Sequence, residues 1–152
     1  MAKNPKSGTF APIAIVGRAC VLPGALSPAE LWQSCVEGRD LVTDAPPDRW
    51  RLPNRFALAS DGDATDRAWS NRGGYVHGFE QVFDPEGFAV EAALARRLDP
   101  LTQWLLHTGR QALTDAGVSD TSIAGAVIGN LSFPSTAMSR YAERTWLGTE
   151  LA

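Results

Sequence analysis

IAIVGRACVLPGALSPAELWQSCVEGRDLVTDAPPDRW, residues 13–50, carries the densest structural signals in the chain. It opens on Ile13-Ala14-Ile15-Val16, a continuous apolar run closed by Gly17, which is the pattern of a short strand buried on both faces. A helix start follows. Ser27 stands at the N-cap, Pro28 at the first helical position and Glu30 three residues after the cap, completing a Ser-x-x-Glu box. Leu26 and Leu31 flank the cap at the staple positions. Leu31, Trp32, Cys35 and Val36 make the expected apolar face, and Gly38 is the stop.

Outward from this stretch, residues 1–11 read as a polar tail, and residues 12–152 as one folded unit. Arg39 to Asn71 is rich in Pro, Asp, Arg and Gly and reads as a long loop with at most short strands. Gly73-Gly74-Tyr75-Val76 suits a short extended segment, Asp84-Pro85 a short helix start, and Glu91 to Leu98 a short helical stretch. Asp99-Pro100 opens the strongest helix. Leu101, Trp104, Leu105, Thr108, Ala112 and Ala116 follow its 3.6-residue period, Leu106 and Leu113 widen the face, and Gly117 ends it. Ala124 to Asn130 repeats the buried-strand pattern, and Ser135 caps a last helix bearing Met138, Tyr141, Thr145 and Trp146. The alternation predicts an α/β fold with buried, parallel or mixed strands.

Composition narrows the function. Hydrophobic residues at 44% and charged residues at 20% suit a globular domain rather than a disordered chain. A net charge of −3 with scattered basic residues lacks the footprint of a nucleic-acid binder. No apolar run reaches membrane-span length, and no signal core follows the N-terminal lysines, so a cytoplasmic location is expected. Cys20 and Cys35 have no Cys-x-x-Cys spacing and read as free thiols, Cys35 as core filler. His107 within the long helix and His77 in a Gly-rich turn read as structural. Asp61, Asp63 and Asp66 lack the remaining ligands of a calcium loop, so no metal is expected. Gly17 is not followed by the glycine pattern of a dinucleotide-binding turn, so no cofactor is expected either.

Three segments together carry a family resemblance. Residues 13–50 resemble the opening of β-ketoacyl synthase domains, with a Cys-x-x-Pro-Gly turn at Cys20 to Gly24, a Ser-Pro-capped helix holding Leu31-Trp32, Gly38-Arg39-Asp40, and the Pro46-Pro47-Asp48-Arg49-Trp50 loop. Gly73-Gly74-Tyr75-Val76 with Phe83-Asp84-Pro85 is similar to the family's Gly-Gly-Phe and Phe-Asp elements. Leu98-Asp99-Pro100 through Leu105-Leu106 to Ala112-Leu113-Thr114-Asp115-Ala116-Gly117 is similar to its long helix. Departures occur at Leu101-Thr102-Gln103, where the family often has Gln-Gln-Arg, and at Ala89-Val90-Glu91, where an Ile-Ser-Pro element is usual. Gly129 to Pro134 and the end of the last helix look more like synthases of polyunsaturated-fatty-acid type.

The resemblance implies the N-terminal part of the thiolase-like αβαβα fold, roughly its first third. It implies a parent acyltransferase that condenses an acyl thioester with malonyl carried on acyl carrier protein phosphopantetheine, in fatty acid or polyketide biosynthesis. A homodimer is implied for the complete domain. The family's cysteine nucleophile lies in an Asp-Thr-Ala-Cys-Ser-Ser-like motif, assisted by two histidines; no such motif occurs here, and these residues are expected beyond Ala152. Asn130, Leu131, Ser132 and Phe133 are expected at the acyl-binding tunnel. A non-catalytic scaffolding or chain-length subunit of the same fold, or an unrelated α/β binding module, are the competing expectations.

Overall fold

The computed structural model describes residues 11–47, 49, 57–59, 62, 65, 67–130 and 135–147. Helix α1 spans Pro28–Val36. The Ser27 hydroxyl accepts from the Glu30 amide at 3.3 Å, as the capping box predicts. The Glu30 carboxylate reaches one residue further back than the box requires and accepts from the Leu26 amide at 2.7 Å. Ahead of the cap, Leu22 and Ala25 exchange both backbone hydrogen bonds around Pro23-Gly24. Gly24 has φ +66°, which a tight turn tolerates only without a Cβ. At the far end the Arg39 amide bonds the Ser34 carbonyl across Gly38, also at positive φ, and the helix stops where expected.

The Pro-rich loop contributes β1, Thr43–Asp44, which pairs antiparallel with β2, Arg72–Gly73, in a two-stranded sheet. Asp40 secures it. Its carboxylate accepts from the Val42 amide at 2.9 Å and from the Arg72 guanidinium at 3.0 Å, contacts that hold it below the usual carboxylate range. Short helices α2, Phe79–Val82, and α3, Ala92–Ala95, lead to α4, Pro100–Asp115, and the chain then reaches α5, Thr136–Leu147. The helix expected from Asp84-Pro85 does not form there. Arg110 donates to the carbonyls of Asp84 (2.6 Å) and Glu86 (2.7 Å), which holds the segment in an irregular turn, and Gly87 turns away at φ +77°.

Helix α4 organises its neighbours through polar side chains. Gln103 donates to the carbonyls of Ala95 and Arg96 at 3.0 Å each, which closes the C-terminal end of α3. Asp115 accepts from the Arg18 amide at 2.8 Å. That bond lays Gly17 on the helix backbone so closely that a Cβ there would sit 2.8 Å from the Ala116 Cβ and 2.9 Å from its amide nitrogen, with the Ala112 carbonyl nearer still.

The expected buried strands are the main correction. Ile13 to Val16 and Ala124 to Asn130 form no ladder among the described residues, and they are exposed: Ile13 at 89%, Val127 fully. A strand exists only through a partner's backbone groups, and no described segment supplies one. The face of α1 is likewise open, with Trp32 70% exposed and Cys35 and Val36 exposed, while Ser34 is the residue buried. Cys35 is therefore not core filler. Met138 and Tyr141 on α5 are also exposed. Among the described residues no helix is long and apolar enough to cross a membrane.

Two glycines of similar appearance in sequence are expected to answer oppositely to an added methyl group. Gly17→Ala drives a Cβ into α4 and should lower stability by about 1–3 kcal/mol, the usual cost of overpacking. Gly109→Ala, inside α4 with nothing near its Cβ, should raise it by about 0.5–1 kcal/mol. Urea unfolding followed by far-ultraviolet circular dichroism checks both signs.

Candidate functional site

The residues that approach chemistry meet in one cleft of about 840 Å³ between α4 and the segment leading into α1. Arg18, Cys20, Glu30, Trp32, His107 and Asp115 are among its walls. The tether from Asp115 to Arg18 fixes one side, and the capped start of α1 the other. The fold brings His107 into the same cleft as Cys20 from 87 positions away along the chain, which only the tertiary structure reveals.

The electrostatics of the pair run against a thiolate. Burial pushes the Cys20 thiol up, and the Glu30 carboxylate pushes it further the same way. His107 retains 5% exposure. Desolvation, followed by the neighbouring Arg110 guanidinium, lowers its pKa. Both groups are thus held neutral, whereas an activated cysteine needs a cationic neighbour and a depressed pKa. No hydrogen bond joins them among the described residues.

His107 instead belongs to an aromatic row. Its ring stands edge-on to Phe79 at 5.4 Å and 83°. Phe79 also meets Trp104 edge-on at 6.2 Å and stacks on Phe83 at 5.4 Å. Phe83 stacks on Phe88, and Arg110 caps the row with its guanidinium carbon 4.4 Å from the Phe88 ring centre. His107 is thus packed within the helix contacts, and its Nδ1 is buried without a hydrogen-bond partner. His77 is exposed in its turn.

Of the expected acyl-tunnel residues, Asn130 is exposed at the end of its segment, and Leu131, Ser132 and Phe133 lie outside the described residues. Asp61, Asp63 and Asp66 also lie outside them. Among the described residues no cluster of three or more His, Cys, Asp or Glu is placed to hold a metal ion.

Residues 11–147 match the family model described as β-ketoacyl synthase, N-terminal domain. Mycoketide-CoA synthase of Mycobacterium tuberculosis is 38% identical over 120 residues, covering 78% of this chain and 3% of that protein. Pikromycin polyketide synthase component PikAII of Streptomyces venezuelae is 36% identical over the same length, again 78% of this chain and 3% of that protein. Among solved structures, the PfaC keto synthase–chain length factor superposes with a TM-score of 0.60 at 35% identity, over 68% of this chain and 11% of that one. The chain thus spans a small part of each of these relatives.

Two measurements probe the cleft. The native state disfavours protonation of His107, so its contribution to stability is complete above the unfolded value of about 6.5 and declines as pH falls below it. His107→Leu is expected to flatten that part of the stability–pH curve; an unchanged slope counts against the assignment. In a Cys35→Ser background, alkylation of Cys20 by iodoacetamide should accelerate only above the ordinary thiol range, and rapid reaction near pH 7 would contradict the neutral pair.

Proposed function

The chain belongs to the β-ketoacyl synthase family, as its N-terminal domain, and from that premise we propose that it forms the opening part of a condensing domain with the thiolase-like αβαβα fold. The match over residues 11–147 carries this reading. The uncovered apolar segments support it: Ile13 to Val16 and Ile123 to Ile128 are strand-like in sequence and exposed here, as expected of strands whose partners are supplied by the rest of a larger domain.

In the complete domain an acyl group is held as a thioester on an enzyme cysteine, and a malonyl group arrives on the phosphopantetheine of an acyl carrier protein. Loss of carbon dioxide leaves a carbanion on the malonyl-derived carbon. That carbon attacks the acyl carbonyl, the bond to the cysteine sulfur breaks, and the thiolate takes up a proton. Two observations support placing the nucleophile elsewhere: neither Cys20 nor Cys35 stands in an Asp-Thr-Ala-Cys-Ser-Ser-like motif, and burial raises the Cys20 pKa. The nucleophile and the two histidines are assigned beyond Ala152, and the chain alone to an inactive role.

Asn130, Leu131, Ser132 and Phe133 are assigned to the wall of the acyl site. Their place supports this, since they follow an apolar strand-like segment and precede a helix, and ligands of α/β folds gather outside strand carboxyl ends. Acyl carrier protein as partner, a homodimer of the complete domain and a cytoplasmic location complete the reading. A second reading, a chain-length or scaffolding subunit of the same fold, is favoured by one observation: the matching PfaC structure is named for both a keto synthase and a chain length factor. The residue at the nucleophile position separates the two, cysteine for the first and another residue for the second.

Incubated with acyl and malonyl thioesters, the purified chain should yield no β-ketoacyl product, while the complete synthase that contains it should. Product from the chain alone overturns the assignment of the nucleophile, and no product from the complete synthase favours the second reading.

A further inference from the structure

Among the described residues, one buried side-chain polar atom has no hydrogen-bond partner, Nδ1 of His107. The residue is 5% exposed and lines the cleft of about 840 Å³ between α4 and the segment leading into α1. A neutral imidazole offers one donor and one acceptor, and a buried group of either kind left unpaired costs more than an ordinary hydrogen bond contributes. The edge-on contact with Phe79 packs the ring but supplies no partner for its nitrogens. Native proteins carry few such groups. The surroundings define the chemistry of a partner. His107, Gln111, Thr114 and Asp115 fall at positions i, i+4, i+7 and i+8 of α4, so a single polar stripe makes that wall of the cleft. Leu26, Pro28 and Trp32 line it from the α1 side, Trp32 with 70% of its surface exposed. The cleft therefore fits an occupant that is polar towards α4 and apolar towards α1.

We propose that the cleft seats an extended polypeptide segment from the remainder of the condensing domain, and that this segment hydrogen-bonds the His107 imidazole. This rests on the reading of the chain as the opening part of that domain. An extended segment suits the two walls because its successive side chains point to opposite sides. A half-turn about the Cβ–Cγ bond exchanges Nδ1 with Cδ2, so the ring can present either nitrogen. A diffusible ligand would leave the imidazole unpaired between encounters, whereas a segment of the same domain keeps it paired. The cleft is also continuous with uncovered chain. Arg18, in its wall, follows the exposed run Ile13 to Val16, and the bond from its amide to Asp115 pins that run to α4. Val82, another lining residue, is 44% exposed. Residues 11–147 match the N-terminal domain of the family and cover 11% of the PfaC chain, so the relatives hold ample further chain for this face.

The test compares the isolated chain with the complete synthase, each as wild type, His107→Leu and His107→Gln, by hydrogen exchange of the α4 amides. In the isolated chain, His107→Leu removes an unpaired group and should leave exchange unchanged or slower. In the complete synthase it strands the occupant's own polar group, and exchange should quicken by about fivefold or more, the scale of one lost hydrogen bond. His107→Gln, which keeps a donor and an acceptor, should recover part of that loss. Cys20 shares the cleft, and its alkylation by iodoacetamide is followed on the peptide that contains it. Labelling should be about tenfold slower or more in the complete synthase, because it then waits on local opening. An equal response to His107→Leu in both proteins overturns the proposal, as does equal labelling of Cys20. Exchange in the peptides holding Ile15 and Val127 keeps the two claims apart. Slowing there in the complete synthase, with Cys20 still reactive, leaves the domain reading standing without this occupant. No slowing at any of the three positions removes both.

Discussion

Helix α4 holds its surroundings with polar side chains, and the rest of the described structure depends on those bonds. Gln103 closes α3, Arg110 gathers the carbonyls at Asp84 and Glu86, and Asp115 draws the Arg18 amide down until Gly17 rests on the helix backbone. Asp99, just ahead of the first turn, does the same for α5. Each bond joins a charged or amide side chain to a backbone group, the kind of contact that positions a segment without burying it. Burial alone does little here: Ala25, Phe79, Ala95 and Ala142 are the hydrophobic residues that become buried among those described.

That imbalance has a physical consequence. Apolar burial is the chief favourable term in folding, and it scales with area removed from water. Ile13, Ile15, Ile123 and Val127 contribute almost none of theirs, and Trp32 little. Local hydrogen bonds are in place, while the apolar segments around Ile13 and Val127 remain exposed. For a member of the β-ketoacyl synthase family that spans a small part of its relatives, their proposed cover is the remainder of the condensing domain.

The cleft beside α4 shows how proximity and chemistry part company. Cys20 and His107 line the same cleft, and a cysteine and a histidine brought together in other settings make a nucleophile. Here burial and Glu30 keep the proton on sulfur, while desolvation and Arg110 keep one off the imidazole. The packing that buries His107 against Phe79 is what disqualifies it as a cationic partner.

Sequence by itself determined what depends on neighbours within a few positions. The Ser27 cap, Pro28, the Gly38 and Gly117 stops, the Pro23-Gly24 turn, the Asp99-Pro100 start and the Ser135 cap are all where the residues place them. Helix ladders and their caps close between residues three or four apart, so their signals are local and legible. The family was legible for a related reason, because its motifs are strung along these same caps and turns. Tertiary structure decided the rest: that Asp84 and Glu86 answer to Arg110, that His107 and Cys20 line the same cleft, that Asp99 serves two helices, and that the apolar runs at Ile13 and Ala124 stand unpaired among the described residues. Those outcomes turn on groups brought together from far along the chain, and an apolar run states that it needs a partner without stating whether one is at hand.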